Sequence, residues 1–209
     1  MSTAAAPRTR DREATAERIL AAVGEVLVRD GFGGVGVNAI AKQAGVDKVL
    51  IYRYFGGLPE LLTAWGESGR FWPTVDEITA GDLPGMLALP LAERYALFLE
   101  RFVDAMRARP LTIELLAAEV VERNALTAIL EAEREQWGEQ VSRLLGGEEF
   151  ERRPELRGLT LVLIAGLQYL LVRARRIRIF GGIDITSDAG WAQIKGSLRA
   201  SAVHLLGRG

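Results

Sequence analysis

The chain has 209 residues, 49% hydrophobic and 25% charged, with a formal net charge of −1. This is ordinary for a globular protein of one or two domains and excludes a disordered or strongly basic chain. The absence of cysteine excludes disulfides, thiolate metal sites and cysteine nucleophiles, in keeping with a reducing cytoplasm, and residues 1–12 lack the apolar stretch of a signal peptide.

In chain order, residues 1–12 read as a tail, with order expected from about residue 13. Arg8, Arg10 and Arg12 in this tail could reach phosphates or the minor groove, and a solubilising role is an equal alternative. Residues 15–30 place Ile19, Leu20, Val23, Val26 and Leu27 at three-and-four spacing, which makes one apolar face of an α-helix. Gly31 follows where a left-handed cap needs a residue without Cβ, and Phe32 folds back onto the helix end. Residues 38–43 form a short second helix with Ile40 and Ala41 inward, and Gly45 permits a tight bend. Asp47 is a good N-cap for a third helix over 48–55, whose Ile51 and Phe55 share the core side. Lys48, Val49, Tyr52 and Arg53 are left for the surface. A helix of this length fits the major groove of B-DNA, so the segment reads as a helix-turn-helix.

Taken together, Gly31-Phe32, Ile40-Ala41, Ala44-Gly45-Val46, Lys48, Ile51-Tyr52-Arg53-Tyr54-Phe55 and Glu60-Leu61-Leu62 resemble the TetR family of bacterial transcriptional regulators. That resemblance implies that Tyr52 and Tyr54 contact phosphates, that Lys48 meets the backbone or a base, that Val49 and Leu50 face base edges, and that Asn38 sits near the DNA. Three departures from the family pattern stand out. Gly36 and Val37 stand where hydroxyl residues usually cap the second helix and touch phosphate, Leu58 replaces a phosphate-binding lysine, and Leu50 replaces a common threonine. Fewer charged anchors imply a shallower salt dependence, and the Val49-Leu50 pair implies reading of thymine methyls. Residues 1–57 carry eight basic against six acidic side chains, or +2, and the remainder eighteen against twenty-one, or −3. The asymmetry has the sign DNA binding requires but is small.

Beyond residue 57 the chain reads as helices separated by turns, with no sustained strand alternation. A fourth helix is expected over 59–69, a loop with a short helical piece near 83–87 over 71–90, and helices over 91–107, 110–122, 124–145, 154–179 and 188–206. Asn124 would cap one of them, Gly146-Gly147 would end it, and Phe180-Gly181-Gly182 would break the 154–179 helix. The expected fold is all-α with about nine helices: a helix-turn-helix domain over 1–57 and a helical domain over 58–209. The apolar run 159–172 falls short of the roughly 20 residues of a membrane span. It is expected to be buried on two sides, against its own domain and against a second subunit, with Gly166 allowing close approach.

By the same resemblance the C-terminal helices form an effector pocket and the last two make the dimer interface, so the partners are double-stranded DNA, a small hydrophobic or aromatic effector and a second copy. The interface candidates are Leu163, Gly166, Leu167, Leu170, Trp191, Ile194, Leu198 and His204, with Leu205 also spaced for packing. Trp65, Trp72, Phe98, Phe102, Met106, Leu116 and Trp137 are candidate pocket walls, although such stripes also serve as plain core. The function expected is a palindrome-binding repressor released by its effector. Neither a cofactor nor a membrane partner is called for. The single His204, the absence of nucleophile motifs and metal spacings, and a glycine run at 33–36 without a phosphate-loop lysine argue against an enzyme. The alternatives are a protein-interaction module using Tyr52 and Tyr54, and a nucleic-acid binder without effector control.

Overall fold

The computed structural model describes residues 7–68, 71–121 and 125–206, without the side chains of 7–10, 68, 125, 126 and 129. Asn124, Gly69 and the side chains of Arg8 and Arg10 therefore lie outside the described residues. Among the described residues twelve α-helices and one short hairpin are found, and the chain divides into two compact units, one drawn from Met1–Arg70 with Ala118–Glu131 and the other from Phe71–Ala117 with Ala132–Gly209.

The first unit is built on α1 (Pro7–Asp30), which starts well before the expected residue 15, so Arg12 stands on a helix and not on a tail. Ile19, Val23, Val26 and Leu27 are wholly buried, and the face they form packs against α2 (Val37–Ala44) and α4 (Leu58–Ser68). Burying each such side chain contributes about 1.5–3 kcal/mol. At Gly31 the backbone turns with φ 71 and ψ 179, a positive φ but not the left-handed helical cap expected. Gly45 does adopt that cap (φ 65, ψ 39): its N–H reaches Lys42 O, and Val46 N–H closes on Ala41 O at 3.0 Å. The bend delivers α3 (Lys48–Phe55), which coincides with the expected recognition helix.

The second unit centres on α7 (Leu91–Arg107), whose Tyr95, Phe98, Leu99, Phe102, Val103 and Met106 are buried on one face. Around it stand α8 (Pro110–Glu119), the later turns of α9 (Ala125–Leu145), α11 (Pro154–Arg173) and α12 (Asp188–Leu206). The 71–90 stretch is richer in structure than expected. A capping box between Thr74 and Glu77 starts α5 (Val75–Thr79), and the Asp82 carboxylate caps α6 (Leu83–Ala88). These short helices and α10 (Glu148–Arg152) account for the excess over nine.

Antiparallel packing of α12 along α7 is the most extensive helix pairing among the described residues. Its register is marked by three ion pairs in a row, Arg107–Asp188 at 2.6 Å, Lys195–Asp104 at 2.7 Å and Arg199–Glu100 at 2.6 Å. Exposed pairs of this kind are worth under about 1 kcal/mol each, so they align the helices while burial holds them. Trp191, 2% exposed, donates its indole N–H to Ile185 O at 2.7 Å.

Two expectations for α11 are corrected. It ends at Arg173, not near residue 179, because Ile179–Phe180 (β1) and Ile183–Asp184 (β2) pair as an antiparallel hairpin across Gly181-Gly182. Both glycines have positive φ, which a two-residue hairpin turn requires. Secondly, the complete helix has 20 residues and a most apolar window of mean hydropathy 1.5, so it is long and apolar enough to cross a membrane where the run 159–172 alone is not. Little of it is buried inside the chain: Leu161 is 71% exposed and Val162 67%.

Candidate nucleic-acid interface and effector cavity

Asp47 starts α3 by accepting the Val49 N–H at 2.8 Å on its carboxylate, which fixes the direction in which the helix leaves the turn. At about 100° per residue, Ile51 (0% exposed) and Phe55 face the core while Val49 and Arg53 lie on the opposite side. Two flanks remain. Lys48 and Tyr52 share one and are exposed; Leu50 and Tyr54 share the other and are half-buried. Val49, at 61% exposed, is therefore the apolar side chain presented outward, and Leu50 is half-buried beside it on a flank.

The approach to α2 agrees with its sequence. Gly36 is the N-cap and offers no side-chain hydrogen bond, so the free N–H groups of Val37 and Asn38 at the helix start are what this end presents to an anion. Asn38 is exposed, while Gly36 and Val37 are half-buried. Around Tyr54 the structure adds something the sequence did not indicate. The Arg53 guanidinium carbon lies 5.0 Å from the ring centre and that of Arg12 5.3 Å, and Arg53 Nη2 donates to the Tyr54 hydroxyl at 3.1 Å. Arg12 is forty-two residues away in sequence, so no local pattern links it to α3.

The second unit holds a cavity of about 850 Å³ walled by α7, α9, α10 and α11. Of the seven candidate pocket residues, Phe98 and Trp137 line it. Trp72 and Phe102 stand against Trp137, at ring-centroid distances of 5.9 and 5.7 Å. Met106 and Leu116 are buried core, and Trp65 is a buried residue of α4 in the first unit; none of the three lines the cavity.

Polar groups enter the cavity from α9, which supplies Arg134, Glu135, Gln136, Glu139 and Ser142, and from α11, which supplies Arg157, Thr160 and Gln168. Thr160 donates its one hydroxyl proton to Leu156 O at 2.7 Å, so the Tyr95 hydroxyl donates to Thr160 Oγ1, also at 2.7 Å. Burial pushes the Tyr95 phenol above its ordinary pKa, against the effect of that hydrogen bond, and keeps it a neutral donor. Thr160 and Gln168 lie eight residues apart on an apolar helix, two turns along one face, which is the signal that could have marked them as lining.

Among the interface candidates, Gly166 and His204 are exposed, and Leu163, Leu170, Ile194 and Leu198 are half-buried. Leu167 and Trp191, 3% and 2% exposed, are packed inside the chain and offer no surface to a partner. Leu205 points outward at 52% exposed, and the adjacent Leu206 takes the inward position. Leu161, Val162 and Tyr169 are exposed apolar residues of α11 that the sequence reading did not select.

An all-α chain with a capped, outward-facing helix after a glycine turn is a helix-turn-helix protein. Residues 19–64 match the family of bacterial regulatory proteins, tetR family. The chain is 28% identical over 207 residues to the HTH-type transcriptional repressor SCO4008 of Streptomyces coelicolor, covering 95% of this chain and 98% of that one. A TetR-like transcriptional regulator from Rhodococcus sp. RHA1 shares the fold with a TM-score of 0.59 at 19% identity, over 91% of this chain and 96% of that one. The fatty acid degradation regulator FadR from Bacillus halodurans does so with a TM-score of 0.58 at 19% identity, over 94% and 97%. Residues 19–64 thus carry the signature of the TetR family, and the chain shares the fold of TetR-like regulators along its length.

Proposed function

We propose that this regulator is a ligand-responsive repressor that binds a palindromic operator as a homodimer and leaves it when a small, mostly apolar effector occupies the cavity of the second unit. The observation that carries the reading is α3 itself: one face is sealed by Ile51, while Val49, Tyr52, Lys48 and Arg53 are presented outward. Lys48 and Tyr52 take phosphates on one flank, Val49 meets base edges, and Tyr54 takes phosphates on the other flank. Leu50, Asn38 and the N–H groups after Gly36 and Val37 support these contacts. A relative named as a repressor, alignable over nearly its whole length, favours repression as the outcome.

Two further features favour dimerisation and effector control. The apolar exposed face of α11, with Leu161, Val162, Gly166 and Tyr169, calls for cover in water, and a symmetric pair would set two recognition helices about one helical turn of DNA apart. The cavity combines an aromatic wall at Phe98 and Trp137 with polar and charged groups from α9 and α11, and its surface, more apolar than polar, suits a hydrophobic or aromatic small molecule. Such a ligand weakens operator binding only to the extent that it prefers the conformation with the wrong helix separation. The place of action is the cytoplasm, and no catalytic step, cofactor or membrane contact belongs to this reading.

Compounds that raise the melting temperature of the purified protein identify ligands. Operator affinity measured with and without such a ligand is expected to fall on binding, and sedimentation is expected to give a dimer. Equal affinities would remove effector control, and a monomer would remove the palindromic geometry.

A further inference from the structure

The Arg12 and Arg53 guanidiniums share one aromatic ring, at 5.3 and 5.0 Å from its centre. Two like charges brought together repel, and the face of a phenol ring offsets only part of that cost. Neither arginine makes an ion pair among the described residues. The arrangement is therefore short of an anion. Guanidinium forks hold phosphate oxygens two at a time, so a phosphodiester is a chemically matched anion for it.

Position supports the match. Tyr54 lies on the flank of α3 away from Lys48 and Tyr52, and this flank carries Leu50 where a polar residue would help hold the backbone. The same unit lacks hydroxyl anchors at Gly36 and Val37 and a lysine at Leu58. A cation delivered from α1 restores charge on that flank.

We propose that Arg12, seated on Tyr54 beside Arg53, is a phosphate anchor for operator DNA, so that α1 joins the interface and grips the strand opposite the one met by Lys48 and Tyr52. The proposal rests on the DNA-binding reading of α3. It also revises the shallow salt dependence that the sequence suggests, because the charge missing from α2 and α4 is supplied by α1.

The test uses the full-length protein and duplexes it selects from a random-sequence pool, with dissociation constants measured by fluorescence anisotropy across a series of salt concentrations. Arg12→Ala is expected to weaken binding about tenfold at about 0.1 M salt, equally on selected and scrambled duplexes, and to lower the salt slope by about one. Arg12→Lys is expected to restore the slope. Tyr54→Ala is expected to reduce the effect of Arg12→Ala in a double-mutant cycle, since the platform is then gone. An unchanged affinity and slope in Arg12→Ala, or strictly additive effects of Arg12→Ala and Tyr54→Ala, would overturn the anchor. If Lys48→Ala abolishes binding while Arg12→Ala does not alter it, the anchor fails and α3 stands. A wild-type protein that selects no duplex overturns both.

Discussion

Trp137 on α9 stacks on Trp72 with ring centroids 5.9 Å apart and planes inclined by 27°, and it donates its indole N–H to Pro73 O. The pair ties the chain just before α5 to the aromatic wall of the cavity, with Phe98 and Phe102 at 6.5 and 5.7 Å from the same indole. Trp137→Ala removes the stack and the hydrogen bond from a half-buried site. A loss of about 2–3 kcal/mol in unfolding free energy is expected from urea denaturation. Trp137→Phe keeps a ring there and should lose about 1 kcal/mol, the value of the hydrogen bond.

Gly190, in the first turn of α12, sits so close to the hairpin that an added Cβ would lie 1.9 Å from Asp184 O and 2.7 Å from its carbon. The obstacle is backbone, held by the β1–β2 pairing and by the Ser187 hydroxyl, which accepts the Gly190 N–H and donates to Asp184 O. Gly190→Ala must therefore shift α12 from its seat on α7. Destabilisation of about 3 kcal/mol is expected, with a lower melting temperature and a loss of the fluorescence characteristic of buried Trp191. Gly196→Ala, where the space is open, serves as the control and should be neutral or slightly stabilising.

Glu77 accepts from Arg109 Nη2 at 2.5 Å on one carboxylate oxygen and from the Thr74 N–H at 2.7 Å on the other. The Arg109 hydrogen bond, followed by the backbone bond from Thr74, lowers its pKa from the ordinary 4.5 to about 2. Since the folded value is the depressed one, the stability this group contributes is complete above pH about 4.5 and is lost as pH falls towards 2. The side chain is 45% exposed, and solvent screening keeps the contribution at about 1 kcal/mol or less. Glu77→Gln should flatten the fall in melting temperature over that window while leaving the rest of the profile in place. A fall of unchanged steepness would assign it to other carboxylates.

The N-terminal unit was legible because its signals are local. Gly45 must take a left-handed turn, Asp47 must cap, and Ile51 with Phe55 must face one way, all within eleven residues. The bounds of α7, expected over 91–107, were equally plain. What escaped depends on partners distant in sequence or on competing local chemistry. The hairpin after α11 is written in Phe180-Gly181-Gly182-Ile183, a two-residue glycine turn between apolar residues, but a long apolar helix before it suggested continuation. Trp191 has the spacing of an outward packing residue and goes inward because Ile185 O takes its N–H. Arg12 could not be tied to Tyr54 at all, since only the path of α1 brings them together.

Replacement of Lys48 and Tyr52 by alanine in one full-length protein bears most directly on α3 as a reading helix. Both side chains are exposed on a flank away from Ile51, so folding and oligomeric state should survive. Equilibrium binding is compared on a palindromic duplex from the region upstream of the gene and on a scrambled duplex of equal length. The double variant should lose about a hundredfold or more of its preference for the palindrome. A folded variant with the wild-type preference would contradict the assignment of α3 to DNA.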